Sequence, residues 1–147
     1  MSELRDLYQE VIFDHYKSPH NRGVLEDANC VAHGHNRLCG DQLTVYLKVG
    51  DDVIRDVRFE GQGCAISTAS ASLMTDALIG KRVEEARHLF ERFHDLVTLE
   101  DAGEADDLGK LQALAGVREF PARVKCATLP WHTLQSALHG GGRVSTE

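Results

Sequence analysis

Two runs of alternating residues joined by a short turn constrain the fold of this chain more than any other feature. Apolar side chains recur at every second position in residues 43–49, and most of the apolar side chains in 53–59 continue one face after Gly50, Asp51 and Asp52. A period of two is typical of β-strands, and a turn of this kind between two such runs indicates a hairpin. We therefore predict two antiparallel strands.

The two ends of this predicted hairpin both carry cysteine. Cys39 and Asp41 directly precede the first strand, and Cys64 follows the second. Since the open ends of hairpin strands lie together, these side chains are expected at one end of the sheet. A third cysteine of the same setting, Cys126, lies in the last third of the chain. The pattern predicts that the thiolates of Cys39, Cys64 and Cys126 and the carboxylate of Asp41 converge on a metal ion.

A purely structural role accounts less well for these three cysteines than a metal site does. Buried structural cysteines are common, but they are not usually placed in glycine-flanked turns or at helix entries. Cys30 has no glycine, carboxylate or helix entry beside it, so we expect it to be a spectator. His33 and His35 have a spacing that could chelate a metal, although an exposed polar loop accounts for them better.

The remaining periodic segments predict helices, and the order of elements predicts an α+β fold with a small antiparallel sheet of about three strands packed with several helices. The third strand is expected near residues 29–35. A proline inside the last helix, Pro130, predicts a kink or a second helix start. The predicted helices cover residues 4–16, 65–78 and 83–97, a shorter segment around 108–114, and 122–139.

Length and composition limit the classes of function. The chain has 147 residues, which suits a single domain over 1–147, with a flexible tail predicted over 140–147. Its net charge of -7 and lack of a basic run argue against nucleic-acid binding. No apolar run is long enough to cross a bilayer, so we expect no membrane and a cytoplasmic location, where cysteines stay reduced and available for metals.

Four segments, in order along nearly the whole chain, resemble the U-type iron–sulfur assembly proteins, and within them the SufU branch. They are residues 11–23, the turn Cys39-Gly40-Asp41, residues 59–67 and residues 120–129. The resemblance implies the compact fold of the SufE/NifU-type family, also called IscU-like. It also implies a place in iron–sulfur cluster assembly.

Two differences within this family concern the chemistry. The scaffold branch, similar to IscU, has a histidine directly before the third cysteine, whereas this chain has Lys125. The segment between Cys64 and Cys126 is also long, as in the SufU branch. The resemblance then implies Zn(II) held by Cys39, Asp41, Cys64 and Cys126. It implies a zinc-dependent sulfurtransferase that accepts persulfide sulfur from a SufS-type cysteine desulfurase.

The same resemblance distributes roles among the residues. Cys39 is the expected catalytic residue, because docking of the desulfurase is thought to bring one of its histidines to the zinc and free this thiolate. Arg123 matches an arginine of the SufU pattern and is expected to orient the zinc shell or the partner. A SufBCD-type scaffold or another acceptor is expected to take the sulfur onward.

Two alternatives stay open on the sequence alone. The first is an iron–sulfur cluster scaffold of the IscU type, which would assemble and transfer a [2Fe-2S] cluster on the same cysteines with Asp41 or a nearby histidine. The second is a structural zinc domain that acts only as a docking adaptor.

Overall fold

The computed structural model describes residues 2–99, 106–140 and 142–145, and it confirms the α+β class. A run of helices packs with a small sheet, and no helix in the described part of the chain is long and apolar enough to span a membrane. The helices are α1 Ser2–Lys17, α2 Ala65–Leu78, α3 Val83–Thr98, a 3-10 segment Asp106–Glu119 and α4 Pro121–Leu138; the strands are β1 Cys30–Asn36, β2 Asp41–Gly50, β3 Val53–Gln62 and β4 Gly142–Ser145.

The predicted hairpin is confirmed. Strands β2 and β3 pair antiparallel, with Gln42 opposite Gln62 at the open end. At the closed end Asp51 and Asp52 both take positive φ, of 54° and 61°. Two successive residues of positive φ give a turn whose twist matches that of the strands. The open end therefore holds the start of β2 and the end of β3 side by side.

The sheet has the order β3-β2-β1-β4. Strand β1 pairs antiparallel with β2, as expected, and places Asn36 opposite Asp41. His33 and His35 lie within this strand, so the prediction of an exposed loop there was wrong. Strand β4, which lies within the predicted flexible tail over 140–147, pairs parallel with β1, and residues 141, 146 and 147 of that tail lie outside the described residues. The four residues of β4 show little hydrophobic pattern, so the sequence alone does not predict a strand there. The strand is defined by its pairing with β1.

Helix α2 is the centre of the helical layer because its side chains are small. Ser70 and Ser72 are fully buried, which allows α1 and α4 to approach closely. The Ser70 hydroxyl donates a hydrogen bond of 2.6 Å to the carbonyl of Ala127 on α4. Farther along α4, Trp131 stacks on Phe93 of α3 with ring centroids 4.8 Å apart. These contacts hold α4 in a defined position against α2 and the sheet.

Two helical segments differ from expectation. Helix α4 runs through Pro130 as one helix, without the predicted second start. Proline has no N–H group, so the carbonyl of Cys126 loses its usual partner four residues on, and the surrounding packing offsets that loss. The segment Asp106–Glu119 is 3-10 rather than α-helical, and Gly109 interrupts it with a φ of 54° and a ψ of -128°.

A single glycine sets the distance between β1 and α4. A Cβ atom on Gly34 would collide with the Thr133 hydroxyl and lie 3.1 Å from Leu129. We expect Gly34→Ala to lower the free energy of unfolding by about 2 kcal/mol, because the added methyl overpacks this contact. Gly116→Ala is the matched control, since a Cβ there meets nothing within 4 Å. Urea denaturation checks both variants, and equal midpoints would contradict the prediction.

Candidate metal centre

The three predicted cysteines and the predicted aspartate lie at the open end of the hairpin. The Sγ atoms of Cys39 and Cys126 are 2.8 Å apart. Cys39, Asp41 and Cys126 each have one potential metal-ligand atom, and these three atoms lie within 4.8 Å of one another. Cys64 adjoins this group through Asp41, with 3.9 Å between its Sγ and Asp41 Oδ2. The structure therefore brings together, in one place, side chains that are up to 87 residues apart in sequence.

Asp41 lies at the middle of this site and is only 2% exposed. Its Oδ1 accepts a hydrogen bond of 2.8 Å from the backbone N–H of Cys64 and one of 3.1 Å from the Ser67 hydroxyl. A buried carboxylate is costly unless such donors satisfy it. The two donors thus fix the orientation of the carboxylate and leave Oδ2 facing the thiol of Cys64.

Cys64 is the N-cap of α2. Its Sγ accepts a hydrogen bond of 3.5 Å from the backbone N–H of Ser67. This bond fixes the position of the sulfur at the entry to the helix. Cys64 is therefore positioned by backbone structure beside Asp41.

Two glycines shape the site for different reasons. Gly40 takes a φ of 71°, and a Cβ atom there would meet nothing within 4 Å. This positive φ, which glycine adopts more readily than other residues, allows the chain to turn between Cys39 and Asp41. The crowded position is Gly63, where a Cβ would lie 2.5 Å from Ser67 Oγ and 2.7 Å from Asp41 Oδ1.

Cys126 is fully buried in the second turn of α4. Burial raises the pKa of the Cys126 thiol, and hydrogen bonds with Cys39 and with Asp41 raise it further. Its Sγ also lies 3.7 Å from the carbonyl oxygen of Ala122, one turn earlier in the helix. A positive charge is needed near Cys126 if it is to ionise at neutral pH.

Arg123 supplies one such charge. Interaction with the thiol of Cys126, followed by the nearby charges of Cys64, Cys126 and Cys39, raises the pKa of the Arg123 guanidinium. The residue lies in the first turn of α4. Arg123 therefore lies close enough to the three cysteines for its charge to act on them.

The remaining candidates lie apart from this site. Cys30 begins β1 opposite Leu47, at the far end of the β1–β2 pairing. His33 Nδ1 is 2.8 Å from the hydroxyl of Thr44 on the neighbouring strand. Within the described ranges, neither His33 nor His35 belongs to a group of three clustered metal-ligating side chains.

Sequence reasoning missed the supporting roles of Ser67 and Gly63. A signal for Ser67 exists, since the residue three positions after a helix N-cap supplies the backbone N–H that the cap accepts. No local signal identifies its second bond, to Asp41, because that contact depends on the register of the hairpin.

The donor set suits a thiophilic metal. Three thiolates and one carboxylate are a ligand combination that Zn(II) accepts in tetrahedral geometry, and cysteine thiolates also hold iron–sulfur clusters. Separate cysteines from a turn, a helix N-cap and a helix interior supply the thiolates, without a Cys-x-x-Cys pair. The chemistry of the side chains therefore fits either group.

Comparison with known proteins finds relatives whose names refer to zinc or to iron–sulfur clusters. The family model described as NifU-like N terminal domain matches residues 7–127. The chain is 44% identical to the zinc-dependent sulfurtransferase SufU of Bacillus subtilis, over 93% of this chain and 92% of that protein. It is 46% identical to the iron–sulfur cluster assembly scaffold protein IscU of Thermotoga maritima, over 90% of this chain and 92% of that protein.

A solved structure has the same fold. The crystal structure of FiSufU from Fervidobacterium islandicum AW-1, named as a putative iron–sulfur cluster assembly scaffold protein for the SUF system, superposes with a TM-score of 0.79. It is 39% identical in sequence, and the match covers 88% of this chain and 94% of that one. The expectation of a NifU-like, IscU-like fold is thereby confirmed.

Differences in burial predict unequal reactivity of the thiols. In metal-stripped protein treated with iodoacetamide, we expect Cys126 to react about tenfold or more slowly than Cys39, because burial hinders access and disfavours the thiolate. Peptide mass spectrometry measures the rate at each cysteine. Cys30 is the control: reloading with Zn(II) should protect Cys39, Cys64 and Cys126 and leave Cys30 unchanged. Equal rates at Cys39 and Cys126, or protection of Cys30, would contradict this.

Proposed function

The chain belongs to the NifU-like N terminal domain family, and from this premise we propose that it is a zinc-dependent sulfurtransferase of iron–sulfur cluster assembly. It accepts persulfide sulfur from a SufS-type cysteine desulfurase. The observation that carries the proposal is the convergence of Cys39, Asp41, Cys64 and Cys126, in which Cys39 is the one cysteine that lies on a turn rather than in or at a helix.

The residues that would hold zinc are Cys39, Asp41, Cys64 and Cys126. When bound, Zn(II) supplies the positive charge that keeps the thiolates ionised at neutral pH and shields them from oxidation. The guanidinium of Arg123 adds a second positive charge beside the cysteines. Carboxylate is a harder ligand than thiolate, so Asp41 keeps the site more exchangeable than four thiolates would.

Cys39 is the proposed sulfur carrier. Its thiolate attacks the terminal sulfur of the desulfurase persulfide, and a new S–S bond forms to Cys39 while the S–S bond in the desulfurase breaks. The desulfurase cysteine leaves as a thiolate, and the terminal sulfur keeps its proton. The products are a Cys39 persulfide and a free desulfurase thiolate, so no external oxidant or reductant is consumed in this step.

The surroundings of Cys39 suit a protein partner. Leu38 is 76% exposed beside it, and Phe120 is 62% exposed at the start of α4. The two segments adjoin, since Cys39 Sγ is 4.0 Å from the carbonyl oxygen of Ala122. Large apolar side chains exposed around a reactive group are typical of an interaction surface. The proposed onward acceptor is a SufBCD-type scaffold or another sulfur acceptor, in the cytoplasm.

A second candidate function is an iron–sulfur cluster scaffold. It is favoured by the identity to scaffold proteins named IscU, including one of 44% from Streptococcus pyogenes over 94% of this chain. Against it stands Lys125 beside Cys126, where the scaffold branch has histidine. Anaerobic reconstitution with iron and sulfide separates the two. A stable cluster that transfers to an apo-acceptor would favour the scaffold, and retained zinc without a cluster would favour the sulfurtransferase.

The decisive test uses one cysteine variant and one matched control. We expect the wild-type protein and Cys30→Ala to increase alanine formation by a SufS-type desulfurase with L-cysteine and a reductant. Cys39→Ala should return the rate to that of the desulfurase alone, because the attacking thiolate is gone. Metal analysis of each variant accompanies the rates. Full stimulation by Cys39→Ala with zinc still bound would overturn the proposal.

A further inference from the structure

A second cluster of metal-ligating side chains lies away from the cysteines. One donor atom each of His15 on α1, His20 in the loop after it and Asp76 on α2 lie within 4.8 Å of one another. Asp76 is twelve residues beyond Cys64 along the same helix, which is about 18 Å at the α-helical rise. The two groups of ligands are therefore separate sites at opposite ends of α2.

Neighbouring hydrogen bonds hold these three side chains in place. His15 Nδ1 is 2.6 Å from the hydroxyl oxygen of Ser72. The same oxygen accepts a hydrogen bond of 2.8 Å from the backbone N–H of His20. Asn21 donates its side-chain amide to Asp76 Oδ1 at 3.0 Å. A metal-ligating histidine typically has its second ring nitrogen held by such a partner, and ligating carboxylates are in turn hydrogen-bonded.

The two imidazole rings lie close together, with centroids 4.4 Å apart and their planes tilted by 44°. Since Ser72 occupies Nδ1 of His15, the Nε2 atom of that ring is left for a ligand. His20 Nδ1 and Asp76 Oδ2 are 2.5 Å apart and are joined by one hydrogen-bonded proton. A divalent cation can take the place of that proton and bind both groups.

The cluster has both a fixed interior and an open entry. His15 is 4% exposed, whereas the side chains of His20 and Asp76 are about half exposed. Asp76 also lines a cavity of about 800 Å³ between α2, α3 and the 3-10 segment. A cation can therefore reach the cluster from solvent and contact His15 at its base.

We propose that His15, His20 and Asp76 form a second metal site, selective for a divalent transition metal such as Zn(II). Two imidazole nitrogens and one carboxylate oxygen are a ligand set that zinc accepts, with a fourth position left to water. Without thiolates the site binds more weakly than the cysteine site, and its occupancy follows the metal concentration. Metal bound there joins α1 to α2. The inference does not depend on the proposed sulfur transfer.

The test counts metal ions per chain. After equilibrium dialysis of the full chain against a series of Zn(II) concentrations, the wild type should bind one equivalent more than His20→Gln and Asp76→Asn over the concentration range in which the wild-type site fills. Both changes remove a ligand at an exposed position, so the apparent affinity for this equivalent should fall by about tenfold or more. His139→Gln is the matched control, because His139 is exposed and lies outside the cluster.

Thermal melting provides a second readout. Added Zn(II) should raise the melting temperature of the wild type and of His139→Gln more than that of Asp76→Asn, since only the intact cluster joins α1 to α2. Circular dichroism verifies that the variants fold. If His20→Gln does not fold, the nearly isosteric Asp76→Asn is the test variant. The test compares the Zn(II) bound per chain by the wild type and by each variant. Since both contain the same cysteine site, metal bound at that site does not change the difference between them. Equal stoichiometry in wild type and a folded variant, or loss in His139→Gln, would overturn the proposal.

Discussion

The buried carboxylate of Asp41 is the group on which the hairpin, α2 and the cysteine site all depend. It begins β2, yet its two hydrogen-bond donors, the Cys64 N–H and the Ser67 hydroxyl, belong to the entry and first turn of α2. A charge at this depth requires those donors, because an unsatisfied buried carboxylate would cost several kcal/mol. The same bonds hold Cys64 at the helix N-cap. The hydrogen bonds that stabilise the Asp41 carboxylate therefore also determine the position of the Cys64 sulfur.

The rest of the site depends on how α4 is held. The hydroxyl of Ser70 donates to the carbonyl of Ala127, directly after Cys126, so one buried bond ties the third cysteine to α2. Pro130 removes the helical partner of the Cys126 carbonyl, but the helix continues. Trp131, fully buried and stacked on Phe93, packs the following turn firmly enough to offset that lost bond. Packing around α4 thus overrides a local sequence preference.

The sequence predicted the features that depend on residues close to one another along the chain. The hairpin and the meeting of Cys39, Asp41 and Cys64 follow from a period of two and a short turn, and both are found in the structure. What it could not predict depends on tertiary contacts. Strand β4 forms only on the edge of β1, and α4 continues through Pro130 only because other helices pack against it. The cluster of His15, His20 and Asp76 likewise exists only because α1 lies on α2.

The physical environments of the three clustered thiols make them unequal. Cys126 is enclosed in a helix, and its thiol pKa is raised by burial, so it needs a neighbouring positive charge to act as a ligand at all. Cys64 is held by the N–H of Ser67 at a helix N-cap. Cys39 has neither constraint, because it lies in a turn whose positive φ at Gly40 allows the backbone to bend there. The sulfur transfer that we propose would use this division between two fixed thiols and one on a turn.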